Sequence, residues 1–314
     1  MSLRKIQVFV KIFNNFLLLH LYNCIGKIVV NIPLMKYIQC RRCKGKNGKV
    51  GQPGYIQTFI ENTDGTKTEA FIECECHKEW REQNRIESEA KKAGLNPKWK
   101  DFDISKDYVG TSSIENVKRI QKYVDRFINE TDEKTIEALQ SSCIYIYGPN
   151  GTQKTTIGNW IGYEMIRNHK KVRYFLMNDL IKLLLDNDFS NKENQEKIDK
   201  ILDCDCLIID EAFDSDKVTI YQNSKFQFPF LDTFLRNRIQ GKNKGIIFIS
   251  NVKMEEIDAE KIKDKWGTEH QNKFASAKSI SDLVNRNVKL CNGYMEFYDN
   301  YLEHKNSIDI QDLF

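Results

Sequence analysis

Residues 143–166, CIYIYGPNGTQKTTIGNWIGYEMI, form the stretch that decides the fold of this chain. An apolar, strand-like run ends at Gly148, a short polar loop follows, and Lys154 and Thr155 open a segment with helical character. In such a loop the backbone N–H groups point at phosphates, the lysine reaches the terminal phosphates, and the hydroxyl ligates Mg²⁺. The stretch therefore predicts a phosphate-binding loop between a strand and a helix.

One position of this loop departs from the usual pattern. Gln153 precedes the lysine, where the pattern has glycine. If the backbone there needs a positive φ, glutamine costs about 1 to 2 kcal/mol that glycine would not. The predicted nucleotide-binding residues of the loop are Gly148, Pro149, Asn150, Gly151, Thr152, Gln153, Lys154, Thr155 and Thr156.

A second apolar run, CLIIDE at residues 206–211, ends in two adjacent carboxylates. An acidic pair after a strand is by itself more often a helix cap. About fifty residues after a phosphate-binding loop, however, the pair fits nucleotide chemistry. We expect Asp210 to hold the magnesium shell and Glu211 to polarise the attacking water.

The run GIIFISN ends at Asn251, which we expect at the carboxyl end of a neighbouring strand. Ligand sites lie at such strand ends, so the amide would face the γ-phosphate or the water. The alternative is an ordinary turn asparagine.

From Cys143 onward, short apolar runs alternate with longer helical patterns, which indicates an α/β fold with a parallel sheet and crossover helices. The predicted strands are CIYIYG, KVRYFLM, CLIID, GIIFISN and a final pair around VKLCN and YMEFY.

The segment before this domain predicts a hairpin followed by helices. Two apolar runs within residues 55–74 are joined by Asn-Thr-Asp-Gly at 62–65, a strong hairpin signal. Residues 78–105 have a charged, mostly helical character and are broken at Asn96-Pro97. Residues 114–139 show a longer amphipathic helical pattern.

Cysteine pairs flank the hairpin. Cys40 and Cys43 precede it, and Cys74 and Cys76 follow it, so four thiolates come together in a set that suits tetrahedral Zn²⁺. The second pair has a C-x-C spacing, and His77 competes for the fourth position. Free cysteines in a core are the alternative.

Composition limits the remaining function classes. The chain has 314 residues, 40% hydrophobic and 29% charged, and a net charge of +4, so total charge makes no case for nucleic-acid binding. Nine cysteines without a convincing secretory signal favour a reducing, cytoplasmic location. The apolar segment 6–22 is interrupted by polar residues and too short to span a bilayer, so we expect no membrane association. Four further cysteines are predicted to fill the core: Cys143, Cys204, Cys206 and Cys291.

Together these motifs resemble the DnaC/DnaI/IstB branch of AAA+ ATPases, from about Cys40 to Tyr301. Besides the motifs quoted above, VRYFLMNDLIKLL and FLRNRIQGKNKGIIFISN match the family pattern. The run DLVNR at 282–286 resembles the family box whose arginine enters the ATP site of a neighbouring subunit. The role of Arg286 rests on this resemblance. Leu302 stands where the family has a later sensing arginine.

The resemblance implies a three-layer αβα domain that binds ATP and Mg²⁺ and assembles into homo-oligomers. It further implies a loader that delivers a replicative helicase to single-stranded DNA in a bacterial or phage-infected cell, with the zinc unit serving partner docking and DNA contact. An IstB-like transposition helper is one alternative. A nucleotide-switched regulator with little hydrolysis is another, favoured by Gln153 and Leu302.

The expected domain layout has four parts. Residues 1–35 are a leader to which we assign no function, and residues 36–80 form the zinc-binding hairpin module. Residues 81–139 are a helical linker, and residues 140–314 are the ATPase domain.

Overall fold

The computed structural model describes residues 55–73, 75–110, 114–140, 142–186, 192–219, 227–240, 245–263 and 268–298. The chain divides into two compact units, residues 1–81 and residues 82–314. No helix within the described ranges has the length and apolar character needed to cross a membrane.

The first unit contains the predicted hairpin. Strands β1 (Tyr55–Glu61) and β2 (Lys67–Glu73) pair antiparallel, with Glu61 opposite Lys67. In the turn, the Asn62 side-chain amide donates to the hydroxyls of Thr66 and Thr68 at 2.8 Å, and Gly65 takes a φ of 80°. The hairpin prediction is therefore confirmed, with its turn where Asn, Asp and Gly supply the local hydrogen bonds and the positive φ.

Four helices lead to the sheet: α1 (Glu75–Ala93), α2 (Ile104–Asp107), α3 (Ile114–Asn129) and α4 (Glu133–Gln140), with a 3₁₀ turn at Pro97–Trp99 between α1 and α2. The single amphipathic pattern over 114–139 is two helices in the structure. The break comes at Asp132, whose carboxylate accepts from the backbone N–H and the hydroxyl of Thr135 and so caps α4.

The second unit contains a five-stranded sheet, whose strands are β3 (Cys143–Tyr147), β4 (Val172–Leu176), β5 (Cys206–Asp210), β6 (Gly245–Ser250) and β9 (Tyr294–Glu296). Their order in the sheet is β4-β5-β6-β3-β9, and all neighbouring strands are parallel. A separate small antiparallel pair is formed by β7 (Lys261–Lys263) and β8 (Glu269–Gln271).

Helices connect the strands: α5 (Lys154–Arg167), α6 (Met177–Leu185), α7 (Lys192–Leu202), α8 (Gln227–Gln240) and α9 (Lys278–Leu290). Tyr147 lies opposite Ser250, and Leu176 lies opposite Asp210. The carboxyl ends of the central strands therefore meet at one edge of the sheet, where the predicted site residues follow.

The sheet is buried on both faces, as its continuous apolar strands require. Alternate side chains of one strand enter different cores, because successive strand residues point to opposite faces. Ile144 and Ile146 pack with α1, α3 and α5, whereas Cys143 and Tyr145 pack with α6, α7, α8 and α9. The domain is thus the predicted three-layer αβα structure, and helices of the predicted linker 81–139 contribute to one of its outer layers.

Two expectations are wrong. VKLCN is not a strand: residues 288–290 end α9, because Val288 continues the helical stripe formed by Ile280, Leu283 and Val284. Cys291 is exposed at the end of this helix, although Cys143, Cys204 and Cys206 are buried as predicted.

Candidate nucleotide-binding site

The predicted loop and the two carboxylates surround one cavity at the carboxyl edge of the sheet. Its volume is about 320 Å³. The position is the one expected for ligands of open parallel sheets. The lining residues are Trp99, Asn150, Gly151, Thr152, Gln153, Lys154, Thr155, Thr156, Asp210, Glu211, Lys217, Ile249, Ser250 and Asn251.

Glycine shapes the entrance of the loop. A Cβ on Gly148 would lie 2.3 Å from the carbonyl oxygen of Phe297, just after β9, so no side chain fits there. Gly151 takes a φ of 89°, which L-residues rarely adopt. These positions let the backbone turn tightly between β3 and the N-terminus of α5. Pro149 contributes its carbonyl oxygen to the interior of the loop.

Gln153 has a left-handed backbone conformation, with a φ of 60° and a ψ of 15°. This is the conformation for which the usual loop pattern has glycine at this position. Its side-chain oxygen accepts a hydrogen bond from the backbone N–H of Val109 at 3.4 Å. The side chain thus contacts the segment between α2 and α3, while the backbone carries the strain of a left-handed non-glycine residue.

Lys154 is a buried cation, with 6% of its surface exposed. Its ammonium group donates to the carbonyl oxygen of Pro149 at 2.6 Å and to the hydroxyl of Thr152 at 3.1 Å. Burial lowers its pKa from 10.5 to about 8, although Asp210 and Asp214 act in the opposite direction. A buried ammonium held by neutral oxygens is suited to an anionic ligand, because a phosphate would offset its lost hydration.

A hydrogen bond joins the loop to β5. The Thr155 hydroxyl donates to Oδ2 of Asp210 at 2.8 Å. The Tyr174 hydroxyl, on β4, donates to the same oxygen, and the backbone N–H of Glu211 donates to Oδ1 at 2.7 Å. Hydroxyl and carboxylate oxygens side by side match the preference of Mg²⁺ for a few protein oxygens alongside phosphate and water. The residues present therefore fit a magnesium nucleotide.

Glu211 follows β5 with a left-handed φ of 52° and lines the cavity. Its carboxylate Oε1 lies 3.6 Å from the ammonium of Lys217, which is also a lining residue. Such strain in a non-glycine residue at a strand end is typical of functional positions.

Asn251 follows β6 and lines the cavity with a half-buried side chain. Its amide nitrogen donates to Oδ2 of Asp214 at 3.0 Å. This hydrogen bond fixes the orientation of the amide, because its nitrogen is the donor and its oxygen remains an acceptor. A fixed amide is suited to orient a bound phosphate or water.

The remaining predicted site residues lie elsewhere. Arg286 is exposed on α9 and is not among the described residues that line the cavity. Cys40, Cys43 and Cys74 lie outside the described residues, as does the side chain of Cys76. In the described part of the chain, no three His, Cys, Asp or Glu side chains form a group able to hold a metal ion. The zinc site stays a prediction.

Sequence reasoning missed four residues at this site: Trp99, Tyr174, Asp214 and Lys217. Trp99 lies in the 3₁₀ turn after Asn96. The only sequence signal near it is the interruption of the helical pattern at Asn96-Pro97, which predicts a turn but no site. Tyr174 was correctly placed in a strand, but its hydroxyl donates to Asp210, thirty-six residues further along the chain. No local pattern indicates that contact. Asp214 and Lys217 follow the acidic pair in a polar loop and match no motif.

The sequence matches one family model, that of the IstB-like ATP binding protein, over residues 69–227. The match covers just over half of the 314-residue chain and contains both the loop of Lys154 and the pair Asp210-Glu211. This chain belongs to the IstB-like ATP-binding family. The family is one of nucleotide-binding proteins, in agreement with the parallel sheet and the loop between β3 and α5.

This IstB-like protein is also similar to several solved structures. A crystal structure of DnaI has 15% identity and a TM-score of 0.47, with 65% of this chain and 94% of DnaI covered. A DnaC helicase loader has 14% identity and a TM-score of 0.41, with 65% and 99% covered. AMPPCP-bound DnaA from Aquifex aeolicus has 14% identity and a TM-score of 0.43, with 69% and 56% covered. These scores are low, so the assignment to the IstB-like family rests on the sequence match. No curated protein matches the chain significantly.

Proposed function

We propose that this IstB-like protein is an ATP-driven loader that delivers a replicative helicase to single-stranded DNA in the cytoplasm of a bacterial or phage-infected cell. The observation that carries the ATP-dependent part of the proposal is the hydrogen bond between Thr155 and Asp210, which joins the predicted phosphate-binding loop to the acidic strand end beside a cavity. The family match supports ATP binding. The resemblance of the sequence motifs to loaders supports the choice of process.

Nucleotide binding is assigned to the loop residues. Lys154 contacts the terminal phosphates, and the backbone N–H groups of residues 150–156 surround the phosphate chain. Thr155 and Asp210 would hold Mg²⁺, which would neutralise charge on the phosphates when bound. Tyr174 fixes the Asp210 carboxylate through its hydroxyl, so the carboxylate is oriented before the ligand arrives.

Hydrolysis is assigned to Glu211 and Asn251. The carboxylate of Glu211 polarises the attacking water, and the amide of Asn251 orients the water or the γ-phosphate. Both side chains line the cavity from adjacent strand ends, which supports these roles. The left-handed backbone of Gln153 and the leucine at position 302 lead us to expect slow or partner-stimulated turnover.

Assembly is assigned to Arg286. In the proposed homo-oligomer its guanidinium enters the ATP site of a neighbouring subunit and stabilises charge in the transition state. Its exposure on α9, away from the cavity of its own chain, is compatible with action in trans. The module at residues 36–80 would dock the helicase, with Zn²⁺ held by its cysteines.

A second candidate is a transposition helper with the same ATPase core, and the IstB-like family match is the observation that favours it. The two candidates differ in partner and share the nucleotide chemistry. A nucleotide-switched regulator with little hydrolysis is a third candidate, favoured by the strained Gln153.

Affinity capture separates these candidates. Tagged wild-type chain with MgATP should retain the purified replicative helicase encoded in the same genome, and the helicase should then load onto a closed single-stranded DNA circle. Lys154→Ala is the matched control and should lose loading. Retention of a transposase from the same genome instead would favour the transposition helper. Binding of the helicase without measurable ATP turnover, alone or with DNA, would favour the regulator.

A further inference from the structure

Lys217 is the second cation of the nucleotide cavity. Among the described residues that line the cavity, the cationic side chains are Lys154 and Lys217, and the carboxylates are Asp210 and Glu211. Without Lys217, one ammonium would face two carboxylates, and a magnesium nucleotide is itself an anion. A second positive charge beside Lys154 would strengthen the attraction of the site for this ligand.

The loop after β5 holds the backbone of Lys217 in place. Val218 is buried, and its carbonyl oxygen accepts from the ammonium of Lys273 at 2.8 Å. Ser215 is also buried, and its hydroxyl accepts from the backbone N–H of Lys273 at 2.8 Å. The backbone N–H of Lys217 donates to the carbonyl oxygen of Asp214 at 3.1 Å. The side chain thus extends over the cavity from an anchored loop.

The side chain itself is loosely held. Its ammonium lies 3.6 Å from Oε1 of Glu211, and 51% of the side chain is exposed. An ion pair this long and this exposed contributes little, so a more highly charged anion can replace the carboxylate as its partner. Glu211 is the proposed group that polarises the water attacking the γ-phosphate, so an ammonium beside Glu211 lies on the side of the cavity where the proposed mechanism places the terminal phosphate.

We propose that Lys217 binds the terminal phosphate of a nucleoside triphosphate in cis, exchanging the Glu211 carboxylate for the phosphate. This inference rests on the proposed function, because it assumes that the cavity takes ATP. The exchange places a cation beside the phosphate where charge develops and frees the Glu211 carboxylate for water. Lys217 thereby makes the site prefer triphosphate over diphosphate.

The test compares two probes in the full-length chain, AMPPCP with Mg²⁺ and ADP with Mg²⁺, by isothermal titration calorimetry. In Lys217→Gln we expect the Kd for AMPPCP to rise about tenfold relative to that for ADP, the lower range for a charge-assisted contact on a half-exposed side chain. Lys217→Arg should restore the ratio to within about twofold, because the charge is kept. Lys182→Gln, an exposed lysine on α6, is the matched control and should leave the ratio unchanged.

Two failures are distinguishable. If the wild-type chain binds AMPPCP and ADP but Lys217→Gln leaves their ratio unchanged, or weakens both equally, the role of Lys217 is wrong and the ATP site stands. If the wild-type chain binds neither nucleotide, the proposed function is overturned and the role of Lys217 with it.

Discussion

Replacing Lys154 by methionine separates the cost of burying its charge from its role in nucleotide binding. Methionine has a similar length and volume but no charge, so Lys154→Met keeps the packing of the loop. The variant should lose ATP binding, because the ammonium is the proposed contact to the terminal phosphates. We expect it to be at least as stable as the wild-type chain at pH 7.

The magnitude follows from the pKa of Lys154. Burial lowers this pKa from 10.5 to about 8, and at about 1.4 kcal/mol per pKa unit the charged form costs about 3 kcal/mol in the folded chain. Against this, the variant removes the hydrogen bonds from the ammonium to the Thr152 hydroxyl and to the Pro149 carbonyl, a loss of about 1 to 3 kcal/mol. The Pro149 carbonyl still accepts from the Thr152 hydroxyl at 2.9 Å. At pH 7 the two effects nearly offset or favour methionine.

The pH dependence is the sharper signature. Below pH 8 the lysine is charged in both states, so the wild-type chain carries the full burial cost. Between pH 8 and 10.5 the unfolded chain binds more protons at this lysine than the folded chain does, so the free energy of unfolding rises with pH. The wild-type chain should therefore gain up to about 3 kcal/mol over Lys154→Met across this window.

Urea unfolding at several pH values between 7 and 10.5 measures this difference. Tryptophan fluorescence, to which the buried Trp160 on α5 contributes, follows the unfolding. Lys182→Met, an exposed lysine on α6, is the matched control and should change with pH as the wild-type chain does. Parallel pH profiles for the wild-type chain and Lys154→Met would refute the reasoning, since they would show that the folded pKa is not lowered.

Three further predictions concern the other parts of the protein. Gln153→Gly should bind ATP and hydrolyse it at least as fast as the wild-type chain. It should be about 0.5 to 1 kcal/mol more stable than Gln153→Ala, because alanine keeps the left-handed strain. Loss of nucleotide binding in the glycine variant would show that the glutamine itself contacts ATP. Mixed Arg286→Ala and Glu211→Gln subunits should recover part of the ATPase rate, whereas normal turnover and assembly of Arg286→Ala alone would exclude a role in trans. Elemental analysis should find about one Zn²⁺ per chain. The double variant Cys40→Ser with Cys43→Ser should release this Zn²⁺ while the ATPase unit stays folded. Absence of Zn²⁺ from protein purified without chelator would contradict the predicted zinc module.

Local patterns were sufficient for most elements. The hairpin turn at 62–65 and the strands β3, β4, β5 and β6 lie where apolar periodicity and turn residues predicted them. The strand predicted around VKLCN is wrong, because residues 288–290 are the end of α9. A short apolar alternation at the end of a helix can equally be part of the buried helical stripe. The split between α3 and α4 was missed because a capping aspartate within an amphipathic pattern does not interrupt its periodicity.

Motif spacing was enough to place the loop of Lys154 beside Asp210, because both follow strands of one parallel sheet and the carboxyl ends of such strands share an edge. The sequence alone also determined that Gln153 departs from the usual loop, and the family match agrees with the nucleotide-binding class.

Only the tertiary structure decided which other side chains reach the cavity. Trp99 and Lys217 come from segments without a motif, and Tyr174 reaches Asp210 from the neighbouring strand. Strand order and the anchoring of the loop after β5 bring these groups together. Their positions depend on contacts between residues far apart in the chain, and a local pattern carries no information about such contacts. The sequence by itself therefore determined where the predicted phosphate-binding loop and the acidic strand end lie in one parallel sheet, and the packing of the strands and loops decided which charges surround them.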